Sequence, residues 1–408
     1  MNILVVCQYY RPEEFKINEI CEALVDEGHA VTVLTGLPNY PSGDVPSEYR
    51  WARKRSELVN GVRVLRSFEV GRKTGALCLG LNYLSFMISG SLSALLLRER
   101  FDIVFVYQLS PVMMAIPGIM AKKKFGTPLF LYCCDLWPES MKNIVASENN
   151  VAFKVARRVS KFVYSNCDSI AVTSQPFFDY FQQVHDVPFE RVVYIPQYAE
   201  DLPLMPTLTQ ETVTDFMFMG NIGIAQDIEC ILDAAAMLCG KHEFRIHFVG
   251  DGSYLKSSRA LVEEKSLGDC VLFHGRHPAA EMSTFYEMAD ACLITLKGGN
   301  WVSLTMPSKL QGYLAAGKPV IGAIGGAAQD AIRAAQCGLC VDAGDATALA
   351  AAMEEFILNP QRHEEWGMNG RRYYESHFTK AGFMARLAEE LMNCANGIAD
   401  DSSESTGA

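Results

Sequence analysis

The sequence predicts an α/β protein with two doubly wound, Rossmann-like domains that face each other across a cleft. Three observations predict this class. Short β-branched apolar runs alternate with amphipathic segments, which is typical of parallel strands joined by helices. The alternation stops at the proline- and threonine-containing segment 201–214 and then starts again. The chain has 408 residues, which is too long for one ordinary core and suits two.

Composition narrows the class of protein. Hydrophobic residues make up 49% and charged residues 20%, so a packed globular protein is expected. The net charge of −11 excludes a protein that coats nucleic acid over its whole surface. Thirteen cysteines without framework spacing indicate a reducing compartment, and the start MNILVVCQYYRPEE predicts no signal peptide. We therefore expect a cytoplasmic location.

The first predicted domain covers residues 1–200. It begins with a buried strand at Ile3–Cys7 and an amphipathic helix through Ile17–Val25, which Gly28 ends. Further buried strands are predicted at Val31–Thr35, Val62–Arg66, Ile103–Val106, Leu129–Tyr132, Ser169–Thr173 and Val192–Ile195. The pattern indicates a parallel sheet with helices on both faces.

The second predicted domain covers residues 215–375, after a linker at 201–214. Its strands are predicted at Phe216–Met219, Phe244–Val249, Val271–Phe273, Ala291–Thr295, Pro319–Gly322 and Leu339–Val341. Helices follow near Thr347–Leu358 and Lys380–Asn393. We expect the helix at 376–395 to pack back toward the first domain. The small, polar and acidic tail 396–408 is expected to be disordered.

Two glycine loops follow strands of the second domain. They are Gly220-Asn221-Ile222-Gly223, with a helix opening near Gln226, and Gly250-Asp251-Gly252-Ser253. Glycines let the backbone approach a phosphate, and a helix N-terminus offers free N–H groups. Each loop alone fits an ordinary tight turn equally well.

A third loop, Lys297–Met306, runs into Pro307-Ser308-Lys309. A serine at the N-cap followed by a lysine would aim a helix dipole and a positive charge at one point, where a diphosphate would be held. The alternative is a solvated surface lysine. Because three such loops are predicted at one edge of the sheet, binding of a diphosphate is favoured over a solvated surface lysine.

Loops of the first domain carry polar residues that we expect at the same cleft. Asp135 and Glu139 follow a buried strand and fit acid/base work, although Asp135 fits a helix cap equally well. Lys16, Asn39 and Tyr40 are candidates to bind hydroxyls or an anion.

No metal site is expected. Cys337-x-x-Cys340 has no second pair, and the eight histidines show no ligand spacing. His274 and His277 flank Gly275-Arg276 after a strand, a position that suits contact with a base better than a metal.

The run Gly75–Leu97 contains 23 residues without a charge, enough to span a bilayer. A span is rejected because the strands on either side are predicted in one sheet. Upstream, Arg50–Lys73 holds eight basic residues against Glu57 and Glu69. The two stretches together predict docking on anionic lipid. A buried helix beside a solvated charged face is the alternative.

Several motifs resemble the family 4 glycosyltransferases with the GT-B fold. The resemblance covers nearly the whole chain and lies in YYRPEEFKINEI, GHAVTVLTGLPNYPSG, CDLWPES, MGNIGIAQDIECIL, VGDGS, FHGR, ADACLITL and MPSKLQGYLAAGKPVIG. It is strongest for the branch of bacterial O-antigen, capsule and exopolysaccharide clusters, related to the fucosamine-type transferases.

The resemblance implies roles for individual residues. Gly220, Asn221, Gly223 and Gln226 would lie near the donor phosphates, Ser308 and Lys309 would neutralise the leaving diphosphate, and Asp251, Gly252 and Arg276 would line the nucleoside pocket. Asp135 would face the sugar and acceptor, with Lys16, Asn18, Asn39, Tyr40 and Glu139 on the acceptor side. Many family members carry two glutamates where this chain has Leu304 and Gly312, so the ribose contact must come from elsewhere.

These observations together predict a retaining, metal-independent glycosyltransferase without a cofactor. The expected donor is a UDP-linked hexosamine or 6-deoxyhexosamine. The expected acceptor is a polyprenyl-diphosphate-linked glycan at the cytoplasmic face of the inner membrane, and no nucleic acid partner is expected. Two alternatives are a UDP-sugar 2-epimerase of the same fold and a non-catalytic nucleotide-sugar-binding partner in a polysaccharide assembly complex.

Overall fold

A computed structural model describes residues 1–51, 53–73, 75–143, 148–205, 213–298 and 301–397. The chain forms two compact units. The N-terminal unit contains residues 1–173 and 177–195 together with the C-terminal residues from Met384, and the C-terminal unit contains 174–176 and 196–383. Residues 206–212 of the predicted linker and 398–408 of the predicted tail lie outside the described residues.

The N-terminal unit is built on an eight-stranded sheet in the order β3-β4-β2-β1-β5-β6-β7-β8. Its strands are β1 (Asn2–Val6), β2 (Ala30–Thr35), β3 (Ser56–Val59), β4 (Val62–Arg66), β5 (Ile103–Gln108), β6 (Leu129–Cys133), β7 (Ser169–Val172) and β8 (Val192–Tyr194). Its helices are α1 (Lys16–Asp26), α2 (Ala76–Leu96), α3 (Ile116–Phe125), α4 (Val151–Ser165) and α5 (Phe177–His185). β1 pairs in parallel with β2 on one side and with β5 on the other.

The sequence prediction missed β3, the one antiparallel strand of this sheet. β3 and β4 form a hairpin in which Val59 pairs with Val62. Asn60 and Gly61 have positive φ angles of 48° and 79°, as a two-residue hairpin turn requires. The Asn-Gly pair was therefore an available signal. The strand was missed because its residues alternate between exposed and half-buried instead of forming a buried run.

The C-terminal unit is built on a six-stranded parallel sheet in the order β11-β10-β9-β12-β13-β14. Its strands are β9 (Thr214–Met219), β10 (Phe244–Val249), β11 (Val271–Gly275), β12 (Ala291–Thr295), β13 (Val320–Ala323) and β14 (Gly338–Val341). Its helices are α6 (Ile228–Leu238), α7 (Leu255–Glu264), α8 (Met282–Met288), α9 (Ser308–Ala315), α10 (Ala327–Ala335), α11 (Ala346–Leu358) and α12 (His363–His377). The last helix, α13 (Lys380–Asn396), runs through the boundary between the two units at Met384.

Fully buried side chains cover both faces of the second sheet. Phe216, Phe218 and Ile246 contribute to one core cluster, and Met217 and Cys292 to the other. β9 is the first strand, and its neighbours are β10 and β12. The chain runs from β9 to β10 and β11 on one side of β9 and then crosses to β12 on its other side. Ligands of such sheets bind at the carboxyl ends of the strands beside this reversal. The predicted class of two doubly wound α/β domains is confirmed.

Candidate functional site

The two glycine loops of the C-terminal unit lie directly against each other. A Cβ atom added to Gly250 would be 1.9 Å from the carbonyl oxygen of Gly220, and one added to Gly252 would be 2.3 Å from that of Ile222. The Ile222 N–H donates to the carbonyl of Asp251 at 2.9 Å, which ties the loops together. Glycine is therefore required at both positions of the second loop.

Gln226 closes the first loop. Its Oε1 accepts a hydrogen bond from the Gly223 N–H and another from Asn221 Nδ2, both at 3.1 Å. A short 3-10 turn at Ile224–Gln226 follows, and α6 begins only at Ile228. The predicted donor-side residues of this loop are thus held by one another in a fixed arrangement.

Two adjoining cavities open beside these loops, of about 380 Å³ and about 500 Å³. Both are lined by Gly220, Asn221 and Met282, so the two cavities adjoin, and together they are called the groove. Asp251, Arg276 and His277 line the smaller cavity. The larger is lined by Gln226, Ser308, Lys309, Gly312, Tyr286 and Tyr313, among others. Most of the predicted donor-binding residues therefore lie along a single groove.

Lys309 is the most unusual residue of the groove. Its Nζ is buried, has no hydrogen-bond partner among the described residues, and lies 3.8 Å from the centre of the Phe218 ring. A Cβ added to Gly220 would be 3.9 Å from this Nζ, so the amine lies directly below the glycine loop. Burial lowers the pKa of the Lys309 ammonium to about 7. An anion entering the groove would give it the partner that it lacks.

The prediction that Ser308 is an N-cap is wrong. α9 begins at Ser308, its N-cap is Pro307, and no side chain caps it. Ser308 is therefore the first helical residue, and it lines the larger cavity. Position and chemistry still favour an anion, because Ser308 and Lys309 both lie in the first turn.

A polar cluster supports the outer end of the smaller cavity. His277 Nδ1 lies 2.7 Å from Glu281 Oε2, and this hydrogen bond raises the pKa of His277. On the neighbouring strands, His274 contacts His247 at 2.8 Å and His247 contacts the carboxylate of Asp215 at 2.9 Å. His277 lines the smaller cavity, whereas His274 takes part in an internal hydrogen-bond chain, and contact of either with a base stays a prediction.

In the N-terminal unit, the two predicted carboxylates have different partners. Ser110 Oγ donates to Asp135 Oδ2 at 2.9 Å, and burial raises the pKa of Asp135. Glu139 forms an ion pair with Lys142 and accepts a hydrogen bond from the Tyr180 hydroxyl at 3.2 Å. Asp135 therefore remains a candidate for chemistry, while the contacts of Glu139 are those of a structural residue.

The predicted acceptor-side residues also divide into residues with structural contacts and residues that are partly or largely exposed. Asn18 and Asn39 are buried, and their Nδ2 atoms donate to the backbone carbonyls of Glu13 and Leu37. Tyr40 is 46% exposed and packs its ring near those of Tyr9 and Phe15, at 5.8 and 5.5 Å. Lys16 is the first residue of α1. The asparagines thus build the loops, Lys16 is partly exposed, and Tyr40 is the most exposed of the four.

Sequence reasoning missed a buried polar network beneath these loops. Glu69 Oε1 accepts from Gln8 Nε2 at 2.7 Å and from Asn82 Nδ2 at 2.8 Å. Burial raises the pKa of Glu69 to about 8. The only available signals were a carboxylate inside a basic stretch and an asparagine inside an apolar helix, and neither specifies a partner.

Three groove residues were also missed. Met282 and Tyr286 lie four residues apart on α8, and Tyr313 lies on α9. Apolar and aromatic residues on helices are more often core than ligand contacts, so no motif could have identified them. The four-residue spacing on one helix face was the available hint.

Over the described ranges, no group of three or more His, Cys, Asp or Glu side chains is arranged to hold a metal ion. Cys337 and Cys340 are free thiols.

Two protein-family models match this chain, one in each half. Residues 15–197 match the family described as "Glycosyl transferase 4-like domain", and residues 206–373 match "Glycosyl transferases group 1".

Two bacterial relatives illustrate the sequence similarity. WcaI of Escherichia coli K12, named as a colanic acid biosynthesis glycosyl transferase, is 24% identical over 96% of this chain and all of its own length. WbjE of Pseudomonas aeruginosa, named as a glycosyltransferase, is 26% identical over 58% of this chain and 60% of its own length.

Solved structures share the fold. Sucrose-phosphate synthase from Thermosynechococcus elongatus has a TM-score of 0.74 at 18% identity, over 97% of this chain and 99% of its own. Anabaena HepE in complex with UDP has a TM-score of 0.69 at 16% identity, over 96% of this chain and 100% of its own. The expected GT-B class is thereby confirmed for the fold.

Proposed function

We propose that this chain, a glycosyltransferase built from a glycosyl transferase 4-like domain and a glycosyl transferases group 1 domain, acts in bacterial surface polysaccharide synthesis. It moves a sugar from a nucleotide-sugar donor to a polyprenyl-diphosphate-linked glycan, with retention and without a metal. The observation that carries the proposal is the buried, unpartnered Lys309 below two interlocked glycine loops. The name of WcaI, a relative over its whole length, supports the polysaccharide context.

The groove suits a nucleoside diphosphate. Arg276 and His277 offer donors to a base in the smaller cavity, and Lys309 with the first turn of α9 receives the diphosphate in the larger one. When the bond between the sugar and the diphosphate breaks, negative charge grows on the phosphate oxygen. Lys309 stabilises that charge more in the transition state than in the ground state, which is the requirement for catalysis.

The proposed nucleotide is UDP. HepE, a structural neighbour, was solved with UDP and with UDP-glucose, which supports this choice. Mycobacterial relatives over 35% of this chain are named as GDP-mannose-dependent mannosyltransferases, so GDP-sugars belong in the test. The donor class of hexosamine or 6-deoxyhexosamine, and the O-antigen or capsule branch, follow from the motif resemblance.

Asp135 is proposed as the carboxylate on the acceptor side. Burial raises the pKa of Asp135, which makes the ionised carboxylate a stronger base toward the proton of the attacking hydroxyl. The contact with Ser110 and the Trp137 indole, which donates to Ser110 Oγ at 2.8 Å, fixes its orientation.

The test is a panel of UDP- and GDP-sugars incubated with membrane lipid extracts and read by product mass. Transfer to a lipid-linked glycan supports the proposal, and the anomeric configuration of the product decides retention. Donor alone serves as the control: conversion of the donor sugar without acceptor would instead identify a UDP-sugar 2-epimerase. Donor binding without turnover under every condition would identify a non-catalytic partner.

A lipid-linked acceptor requires an enzyme that reaches the membrane, and α2 supports such contact. An ordinary surface helix packs its apolar face on the protein and exposes its polar face, and α2 has the opposite arrangement. Its polar stripe faces the protein: Asn82, Ser85, Ser89 and Ser93 bond to the segment 67–70. Its apolar stripe is exposed and consists of Leu77, Leu81, Leu84, Ile88, Leu92, Leu95 and Leu96. This helix is long and apolar enough to cross a bilayer by length and composition, and only 22% of that window is buried.

Four of the eight basic residues expected to supply positive charge at Arg50–Lys73 form ion pairs. Arg63, Lys54 and Arg66 form ion pairs with Glu99, Glu48 and Glu57, and Lys73 lies 3.8 Å from Asp44. α4 carries exposed cations that differ from these because they form no ion pair with a described residue. None of the ion pairs found among the described residues involves Lys154, Arg157 or Arg158, and the apolar Val151, Val155 and Phe162 beside them are exposed. We therefore assign the electrostatic contribution to α4.

α2 and α4 share one face of the sheet, because both pack against the segment 112–115 that follows β5. A bilayer of anionic lipid matches this combination of leucines and unpaired cations.

Vesicle co-sedimentation tests the surface. Replacing Lys154, Arg157 and Arg158 by Gln should release protein from anionic vesicles, because each cation contributes about 1 kcal/mol near such a surface. The matched variant Lys54→Gln/Arg63→Gln/Lys73→Gln removes the same charge from ion-paired, partly exposed cations and should release less. Leu84→Ser/Ile88→Ser should weaken binding to all vesicles, with Leu358→Ser as the exposed control. Equal release by both charge variants would contradict the assignment.

A further inference from the structure

Two tyrosines contribute to the larger cavity, and their hydroxyl groups differ. The Tyr313 hydroxyl accepts a hydrogen bond from the Met219 N–H at 3.0 Å and is part of the core. Tyr286 also lines this cavity, its side chain is 7% exposed, and its hydroxyl forms no hydrogen bond within the described part of the chain. A tyrosine hydroxyl at a cavity without a protein partner is open to a ligand.

The Tyr286 hydroxyl occupies the space that a side chain at Gly312 would fill. A Cβ added to Gly312 would be only 2.8 Å from Tyr286 Oη. Gly312 lies on α9, three residues after Lys309, and both residues line the larger cavity. The absence of a side chain at 312 therefore leaves the space into which the hydroxyl projects, one helical turn from the amine.

The groove also indicates which part of a ligand would meet this hydroxyl. Met282 lines both cavities and lies four residues before Tyr286, on the same face of α8. Tyr286 therefore shares the larger cavity with Lys309 and lies one turn of α8 from a residue that also lines the smaller cavity with Arg276 and His277. In a nucleoside diphosphate, the group between the base and the phosphates is the ribose, which carries two hydroxyls.

We propose that Tyr286 Oη binds a ribose hydroxyl of the nucleotide donor and makes the site selective for ribonucleotides over deoxyribonucleotides. This inference rests on the proposed function and adds a specificity residue to it. A phenol both donates and accepts, so it matches a sugar hydroxyl, and burial of the pair makes a missing partner costly.

The test compares UDP with 2′-deoxy-UDP and 3′-deoxy-UDP, with GDP and its deoxy forms as a second series, by calorimetric titration. Wild-type protein should bind the ribonucleotide about three- to tenfold more tightly than one of the deoxy analogues, as expected for one neutral hydrogen bond. Tyr286→Phe should lose that preference and leave the affinity for that analogue unchanged. Tyr373→Phe, on α12, is the control and should retain it.

Folding is monitored separately by thermal denaturation. Tyr286→Phe should melt like wild type, whereas Tyr313→Phe leaves the Met219 N–H unpaired and should melt at a lower temperature. If Tyr286→Phe weakens UDP and both deoxy analogues equally, or weakens none, the inference is wrong and the proposed function stands. If wild-type protein binds neither UDP nor GDP, both are overturned.

Discussion

Both units place polar residues in the loops that follow their strands, but these residues are used differently. In the C-terminal unit, the amine of Lys309 has no hydrogen-bond partner among the described residues and lines a groove. In the N-terminal unit, Asn18, Asn39 and Glu13 are buried and bond to neighbouring loops. A polar residue at a strand end therefore either builds the loop or is open to a ligand. A lining position at a cavity distinguishes the two, because Asn18 Oδ1 and Glu69 Oε2 are also buried without a partner but neither residue lines the two cavities described above.

The two units can also be compared through one buried ionisable residue in each, Glu69 and Lys309. Burial shifts the pKa of each toward neutrality, to about 8 for Glu69 and about 7 for Lys309. Glu69 Oε1 already receives two side-chain amides, from Gln8 and Asn82. A shifted pKa alone thus does not identify a ligand site. We expect Glu69 to act on the stability of its unit and Lys309 to act on binding and turnover.

The largest expected effect is on turnover. Lys309→Met should lower kcat about 10²- to 10³-fold, the loss typical of one preorganised charge at a developing anion. It should not destabilise the fold, because a buried amine without a partner costs free energy in the folded state. Initial rates with a nucleotide sugar and urea denaturation measure the two effects.

Lys318→Met is the matched control, because Lys318 is also buried but its Nζ donates to the Ala289 carbonyl at 2.7 Å. It should lower the free energy of unfolding by about 1–3 kcal/mol by leaving that carbonyl unpaired. Wild-type kcat in Lys309→Met, or equal destabilisation by both changes, would refute the distinction.

Glu69 should make stability fall with rising pH. Its pKa lies above the unfolded value, so the folded state holds a proton that the unfolded state releases. The free energy of unfolding should therefore decrease between about pH 4.5 and pH 8, by at most about 1.4 kcal/mol per pH unit. Glu69→Gln should remove this part of the slope in urea denaturation, and parallel slopes for both proteins would contradict the assignment.

Asn39 and Asn221 test the comparison with one residue type. Asn39 Oδ1 accepts from the Arg72 N–H at 3.1 Å inside the N-terminal unit, whereas Asn221 is exposed at the groove. Asn39→Ala should cost about 1–3 kcal/mol of unfolding free energy. Asn221→Ala should change it by less than about 0.5 kcal/mol and weaken donor binding. The reverse result in denaturation and titration would invert the roles of the two loops.

The affinity for a nucleotide sugar should fall as pH rises through 7. The free protein loses the Lys309 proton near that pH, and binding the diphosphate then requires its return. The decrease should approach tenfold per pH unit above 7. The hydrogen bond to Glu281 also raises the pKa of His277, so the control is Lys309→Arg, which stays charged and should flatten the decrease while His277 is unchanged. An unchanged slope in that variant would assign the effect to another group.

Most of the fold follows from the sequence, because buried parallel strands are continuous apolar runs such as Ile103–Gln108. β3 was missed because it is not such an apolar run: its side chains alternate between exposed and half-buried. Glycine-rich motifs identified the donor loops, because a backbone packed against Gly250 tolerates no side chain. The position of Tyr286 depends on the space left by Gly312, and such a contact between distant residues has no signature in the local sequence.

The last and smallest expected effect concerns metal ions. Activity should be unchanged in EDTA, because Lys309 supplies the positive charge that a divalent cation would bring to the diphosphate. Asp251 is the carboxylate that lines the groove, and its Oδ1 already accepts from the Gly252 N–H at 2.7 Å. Initial rates with and without EDTA and added Mg²⁺ measure this. A loss restored by Mg²⁺ would contradict the prediction, and Asp251→Asn would then decide whether that carboxylate holds the ion. Unchanged rates in EDTA combined with a large loss in Lys309→Met would assign charge neutralisation to the chain's own amine, the feature that separates this unit from its neighbour.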